Sequence, residues 1–366
     1  MEVKKHRFPY EWKISETKFT KDKGTVFSCF ACGGGSSFGY KLAGFDVLGC
    51  NEIDPKMIEA YKVNHNPKYA YLEPIQTFKL RKDLPKELYN LDILDGSPPC
   101  SSFSMAGNRE KDWGKEKKFR EGQAEQVLDN LFFDFIDLAK ELQPKVVVAE
   151  NVAGLMMGEA QQYVRKIFAE FEKAGYKLRV APYLLDASTM GVPQRRIRVF
   201  FIALRNDLAE KHMEQIDMFQ MAPKLDLNFN EPVVLFKDVR DEVGNENKVS
   251  ELRKELLSKS IESDKCISHI NERLYNKVSG FNALIIPDNE ICPTITSGET
   301  NYRKYDKLSL TSGDYQKCGS YPMDYNFNGN DPKYMIGMSV PPLMVANISE
   351  QIYLQWLCKS QKRGDF

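Results

Sequence analysis

A chain of 366 residues, 42% hydrophobic and 28% charged, has room for one large domain or two and the make-up of an ordinary globular protein. Lys plus Arg and Asp plus Glu number 51 each, so the formal net charge is zero and any grip on a polyanion must come from local basic patches. No apolar run is long enough to cross a bilayer, and Met1 to Arg7 lack the apolar core of a secretory signal, so a cytoplasmic protein without a membrane partner is expected.

Residues 1–23 are polar and lysine-rich and read as an N-terminal arm. Gly24 to Phe30 is a short apolar run that ends in Ala31-Cys32-Gly33-Gly34-Gly35-Ser36. A buried strand entering a glycine-rich turn and then a helix is the nucleotide-binding pattern of doubly wound α/β sheets, because glycines let backbone approach a ligand and the next helix offers free N–H groups. Cys29 and Cys32 form the one Cys-x-x-Cys; with no second pair and four histidines in all, no metal site is expected, and the eight cysteines read as free thiols.

Phe45 to Asn51 reads as a second strand ending in Glu52, about twenty residues past the turn, where a carboxylate can accept from ribose hydroxyls. A helix from Pro55 to Asn64 follows. The apolar run Leu91 to Leu94 stops at Pro98-Pro99-Cys100. Two prolines fix φ and remove two donors, so this is a rigid turn at a strand end that presents Cys100 from a fixed backbone.

The stretch from Gly107 to Gly122 is dense in charge and glycine, with Arg109, Lys111, Lys115, Lys117, Lys118 and Arg120. As a loop directly after Cys100 it can close over a polyanion, with its glycines as hinges. Helix periodicity spans Leu128 to Leu142. Lys145 to Ala149 reads as a buried strand whose carboxyl end carries Glu150-Asn151-Val152, on the same rim as Glu52 and Cys100. A helix over 161–174 and a strand over 178–185 precede Gln194-Arg195-Arg196-Ile197-Arg198, where the strand period puts Arg196 and Arg198 on one face. Beyond Asn206 the periodicity is poor to about Pro287. An apolar helix from Leu343 to Leu357 closes the chain and is expected to pack on a core.

In this order the motifs resemble those of the C5-cytosine DNA methyltransferases, from Thr25 to the end. Phe30 to Gly35 resembles the family's first S-adenosylmethionine motif, Asn51-Glu52-Ile53-Asp54 its ribose-binding motif, and Pro98-Pro99-Cys100 its nucleophile motif. Glu150-Asn151-Val152, Gln194 to Arg198, and Gly337-Met338-Ser339-Val340-Pro341-Pro342 match three more. Cys32 replaces a common glycine, Ser28 a common acid, Ser101 a glutamine and Met338 an asparagine, and no acid near Glu73-Pro74-Ile75 is placed for the adenine amino group.

The resemblance implies a Rossmann-like α/β methyltransferase sheet built from 24–203 and 330–366, with 204–329 as a smaller target-recognition domain. It implies catalysis by Cys100, Glu150, Arg196 and Arg198. It also implies S-adenosylmethionine held by Phe30, Ala31, Gly33, Gly34, Gly35, Glu52, Ile53, Ile75, Pro98, Met338 and Ser339. The implied partner is double-stranded DNA, bound by a monomer, with a cognate restriction endonuclease acting separately. The alternatives are a tRNA cytosine-5 methyltransferase, against which the missing Cys-Phe-Thr signature counts, and a non-catalytic S-adenosylmethionine-binding regulator. A dinucleotide enzyme of similar fold has no use for Pro98 to Cys100 or Gln194 to Arg198.

Overall fold

In the computed structural model the described residues are 6–99, 116–117, 126–127, 130–157, 160–215, 221–278, 283–298 and 300–358, with 116–117 and 126–127 as backbone only. The chain forms two compact units, one of residues 18–185, 197–228 and 345–366, the other of 1–17, 186–196 and 229–344.

The first unit is a sheet covered by helices. Its elements in chain order are β1 (Thr25–Cys29), α1 (Gly35–Leu42), β2 (Asp46–Glu52), α2 (Pro55–His65), β3 (Tyr69–Leu72), α3 (Ile75–Phe78), β4 (Ile93–Gly96), the two-residue strands β5 (Glu116–Lys117) and β6 (Gln126–Val127), α4 (Leu131–Leu142), β7 (Val146–Val152), α5 (Ala160–Lys173), β8 (Tyr176–Leu178), β9 (Tyr183–Asp186) and β10 (Ile197–Arg205). The strand order is β3-β2-β1-β4-β7-β10-β8, with β9 also paired to β10. From β3 through β7 all neighbours are parallel; β10 runs antiparallel to β7 and β8.

Parallel strands covered on both faces need side chains that are mostly apolar on both, which is why the runs Val26-Phe27, Ile93-Leu94 and Val146 to Ala149 mark β1, β4 and β7. One apolar cluster includes Phe27, Phe78, Leu94, Phe135, Val147 and Phe201, all fully buried. Phe132 stands edge-on to Phe201 at 5.2 Å. Each such side chain contributes roughly 1.5–3 kcal/mol by leaving water.

The start of α2 follows from its sequence: Pro55 opens the helix and the Asp54 carboxylate accepts from Lys56 N–H at 2.8 Å and Met57 N–H at 3.3 Å. Of the helix expected over 128–142, residues Leu131–Leu142 form α4 and 128–129 lie outside the described residues, while the strand expected over 178–185 is two strands, β8 and β9. Arg196 precedes β10, which begins at Ile197, so the alternation that put Arg196 and Arg198 on one face does not apply across that boundary. The closing helix runs from Pro342 to Ile352 and then widens into one π-helical turn, Tyr353–Leu357.

The second unit gathers short elements around a smaller core of Val249, Leu256, Leu257, Ile267, Ile270, Ile285 and Tyr302. Fully buried Arg303 pairs with Asp306 at 3.1 Å and lies 3.6 Å from Asp314, while its Nη2 also donates to the Asp241 carbonyl.

Candidate functional site

The strand order places a topological switch point between β1 and β4: from β1 the chain steps outward to β2 and β3, then crosses back to β4. In open α/β sheets ligands bind outside the carboxyl ends of the strands at such a point. The turn that follows β1 is strongly shaped. Phe30, Cys32 and Gly34 have φ of 52°, 47° and 87°. A Cβ on Gly34 would lie 2.1 Å from His65 Nε2, so both conformation and space require glycine there.

His65, at the carboxyl end of α2, is buried with its ring stacked on Tyr61 and tilted against Phe38. Burial first, and Lys41 second, push its pKa well below the usual imidazole range, so it sits neutral under the turn.

Glu52 ends β2 and is almost fully buried. Its Oε2 accepts from Cys32 N–H at 2.7 Å, and its Oε1 accepts from Ile53 N–H at 2.8 Å and Asp54 N–H at 2.9 Å. Burial raises its pKa and the three N–H donors oppose that rise. The carboxylate therefore ties the glycine turn to the loop after β2 while keeping one lone-pair direction, on Oε2.

On the other side of the switch point, β4 and β7 run parallel with Gly96 opposite Ala149, so Glu150 is the next residue outward on β7. Across β7, Glu150 is opposite Phe200 and Val152 is opposite Arg198 on β10. Arg198 Nε lies 3.0 Å from Glu150 Oε1, both side chains being largely buried. Burial lowers the Arg198 pKa and Glu150 opposes this. Asn151 Nδ2 donates to the Pro98 carbonyl at 3.1 Å, fixing the Pro-Pro turn to the strand that carries Glu150. Such an arrangement can hold a planar polar ring edge with one acceptor and one cationic donor.

The other expected site residues fall as follows. Ala31 and Gly33 lie in the turn, Gly35 opens α1, Phe30 is edge-on to Phe135, Ile75 is buried at the start of α3, and Pro98 is buried after β4. Cys100 and nearly all of the basic stretch 107–122 lie outside the described residues. Arg196, Met338 and Ser339 belong to the second unit. There the buried Arg196 donates to the carbonyls of Ile295 at 3.0 Å and Gly337 at 2.9 Å, the Ser339 hydroxyl donates to the Met335 carbonyl at 2.8 Å, and Met338 is exposed.

Two features of the site are absent from the motifs. His65 has no sequence pattern to mark it. Asp95 has one, as an acid that follows Ile93-Leu94 within a strand the apolar pattern predicts to be buried.

The family profile described as C-5 cytosine-specific DNA methylase matches residues 24–354. Among curated proteins, the Type II methyltransferase M.FnuDI of Fusobacterium nucleatum is 34% identical over 189 residues, 52% of this chain and 49% of that protein. The Type II methyltransferase M1.HphI of Haemophilus parahaemolyticus is 27% identical over 356 residues, 90% of this chain and 86% of that one. The chain thus spans about half the length of the first of these relatives and most of the second. A prophage-encoded Escherichia coli protein of known structure shares the fold, with a TM-score of 0.62, 22% identity, and coverage of 90% of this chain and 99% of its own.

Proposed function

The chain belongs to the C-5 cytosine-specific DNA methylase family, and on that premise we propose that it transfers a methyl group from S-adenosylmethionine to C5 of a cytosine flipped out of double-stranded DNA. The observation that carries this reading is the Glu150–Arg198 pair at the end of the sheet, with Asn151 fixing the Pro98-Pro99 turn beside it.

Cytosine C5 is a poor nucleophile until a thiolate adds at C6. Cys100, directly after that turn, supplies the thiolate, and adding its electron pair to C6 makes C5 enamine-like. Glu150 holds the ring's N3 and exocyclic amine as charge develops there, and Arg198 holds O2. Bound S-adenosylmethionine supplies an electrophilic methyl group on a sulfonium. After transfer, a base removes the C5 proton, the electron pair reforms the ring double bond, and the Cys100 thiolate leaves.

The glycine turn and Glu52 hold the cofactor. Glu52 has one lone-pair direction left for a ribose hydroxyl, so accepting from both hydroxyls requires one of its three backbone donors to yield. Because none of this chemistry is possible inside a stacked duplex, the base is extruded. Residues 204–329 read the flanking bases, and Arg196, Met338 and Ser339 complete the catalytic and cofactor sets. The protein acts as a monomer in the cytoplasm, with any cognate restriction endonuclease a separate protein.

The test is trapping on DNA carrying 5-fluorocytosine at the target position. Fluorine at C5 cannot leave as a cation, so elimination is blocked and Cys100 stays attached through denaturing electrophoresis when S-adenosylmethionine is present. Cys100→Ser forms no adduct, and Glu150→Gln slows trapping about 10²–10³-fold with cofactor binding retained. Methylation of cytosine in DNA without a Cys100 adduct on the fluorinated substrate would overturn the covalent mechanism. Preferential trapping on RNA would overturn the substrate.

A further inference from the structure

Asp95 has no part in the chemistry above, yet it occupies the switch point itself. It is the penultimate residue of β4, and its register partner across the switch is Ser28 on β1. It is 3% exposed. The Ser28 hydroxyl donates to one carboxylate oxygen at 2.7 Å and the Tyr40 hydroxyl of α1 to the other at 3.1 Å.

Among the described residues Asp95 has no ion pair. Asp92, just before the same strand, has one, with Lys145 Nζ at 2.6 Å. Among the described residues, the charge that acts on Asp95 is that of Glu150 on β7, and Asp95 in turn holds up the pKa of Cys29 on β1, Tyr40 on α1 and Tyr61 on α2. None is a cation. A buried carboxyl group with two neutral donors and an acidic neighbour has, among the described residues, no cation to compensate its ionised form, and it sits on the strand beside the switch point.

We propose that Asp95 makes the cofactor crevice select the cationic methyl donor over its demethylated product. This rests on the reading of that crevice as an S-adenosylmethionine site. Methyl transfer converts the donor's sulfonium into a neutral thioether, so donor and product differ by one positive charge and one methyl group. An unpaired buried carboxylate attracts the first and is indifferent to that charge's absence in the second.

Its protonation behaviour supports the assignment. Burial raises the Asp95 pKa to about 7, against the pull of the Ser28 and Tyr40 hydroxyls, and Glu150 adds to the rise. Bringing in a cation favours the carboxylate and drives the proton off. Donor affinity then rises with pH up to about 7 and levels above it, while product affinity stays flat across that window. The donor displaces the product more readily at the higher pH.

The experiment is calorimetry of the full chain with S-adenosylmethionine and with S-adenosylhomocysteine, at pH 6 and pH 8, and at pH 7 in two buffers of different ionisation heat. The expected result is release of a fraction of a proton on binding the donor but not the product, and donor affinity about tenfold higher at pH 8 than at pH 6, the equivalent of one pKa unit. Asp95→Asn should abolish both effects and lower the donor-to-product affinity ratio about tenfold with product affinity changed less than twofold. Tyr40→Phe removes one donor to the charged form, so the midpoint of the pH dependence should move up; this variant serves where Asp95→Asn fails to fold.

Equal weakening of both ligands by Asp95→Asn would mean that Asp95 only stitches β4 to β1 and α1, and would overturn the proposal. So would a wild-type protein that binds the donor without proton release. Failure of the wild type to bind either ligand would instead overturn the cofactor reading on which the proposal rests.

Discussion

Glu52 shows how much of this site hangs on single side chains. Its distance past the glycine turn is legible in the sequence, but its three backbone donors are not, because they depend on loop dihedrals. Two of the positive-φ residues in that turn, Phe30 and Cys32, are not glycines, and nothing in their identity announces the conformation. Replacing Glu52 by Ala removes the ribose acceptor and the carboxylate that accepts from Cys32, Ile53 and Asp54 N–H. Cofactor affinity should fall by about 1–3 kcal/mol in calorimetry, and the melting temperature should drop without cofactor as well. Unchanged affinity would make Glu52 purely structural. Gly34→Ala tests the same turn from below. It forces a side chain into left-handed backbone and into His65, so we expect a loss of about 1–3 kcal/mol in denaturant melts and a larger loss of cofactor binding. A variant as stable as wild type would mean that the turn and His65 relax at little cost.

At the scale of elements, hydrophobic runs are enough to place β1, β2, β4, β7 and their helices, since a parallel sheet covered on both faces leaves a strong apolar signal. Boundaries are less legible where tertiary contacts decide them. Arg196 reads as a strand residue by its alternation with Arg198, but its guanidinium is committed to the Ile295 and Gly337 carbonyls, nearly a hundred residues or more away in sequence. The closing helix, expected to run to Leu357, widens at Tyr353 instead, where the Trp356 indole donates to the Lys224 carbonyl and Gln355 bonds both Asp226 N–H and its carbonyl. No local pattern encodes those partners. The β7–β10 pairing makes its own prediction. Arg198→Ala leaves the Glu150 carboxylate largely buried without its cation, which should cost about 3–5 kcal/mol in chemical denaturation. Adding Glu150→Gln to that variant should recover much of the loss, because the uncompensated charge is then gone. If the double variant is no more stable than Arg198→Ala alone, the pair contributes through packing rather than charge.

For the whole molecule, zero net charge argues against a long-range field that attracts DNA. Binding must then depend on where the 51 basic residues are concentrated, and the sequence concentrates six of them between Arg109 and Arg120. That stretch lies outside the described residues apart from the backbone of 116–117, so its contribution is a matter for measurement. Phosphate binding releases condensed counterions, and the logarithm of the binding constant falls by about 0.9 per phosphate neutralised for each unit of log salt concentration. A protein whose overall charge did the work would show almost no salt dependence here. A local basic loop predicts a steep one. Neutralising Lys115, Lys117 and Lys118 together should reduce the slope of the log–log plot by about 2 to 3, since each lysine removed leaves one phosphate without its cation. Cofactor affinity, measured without DNA, should stay as it is, which separates a weaker hold on phosphate from a damaged fold. An unchanged slope would assign those three lysines to solvent and move the search for the DNA-binding surface to the residues of 204–329.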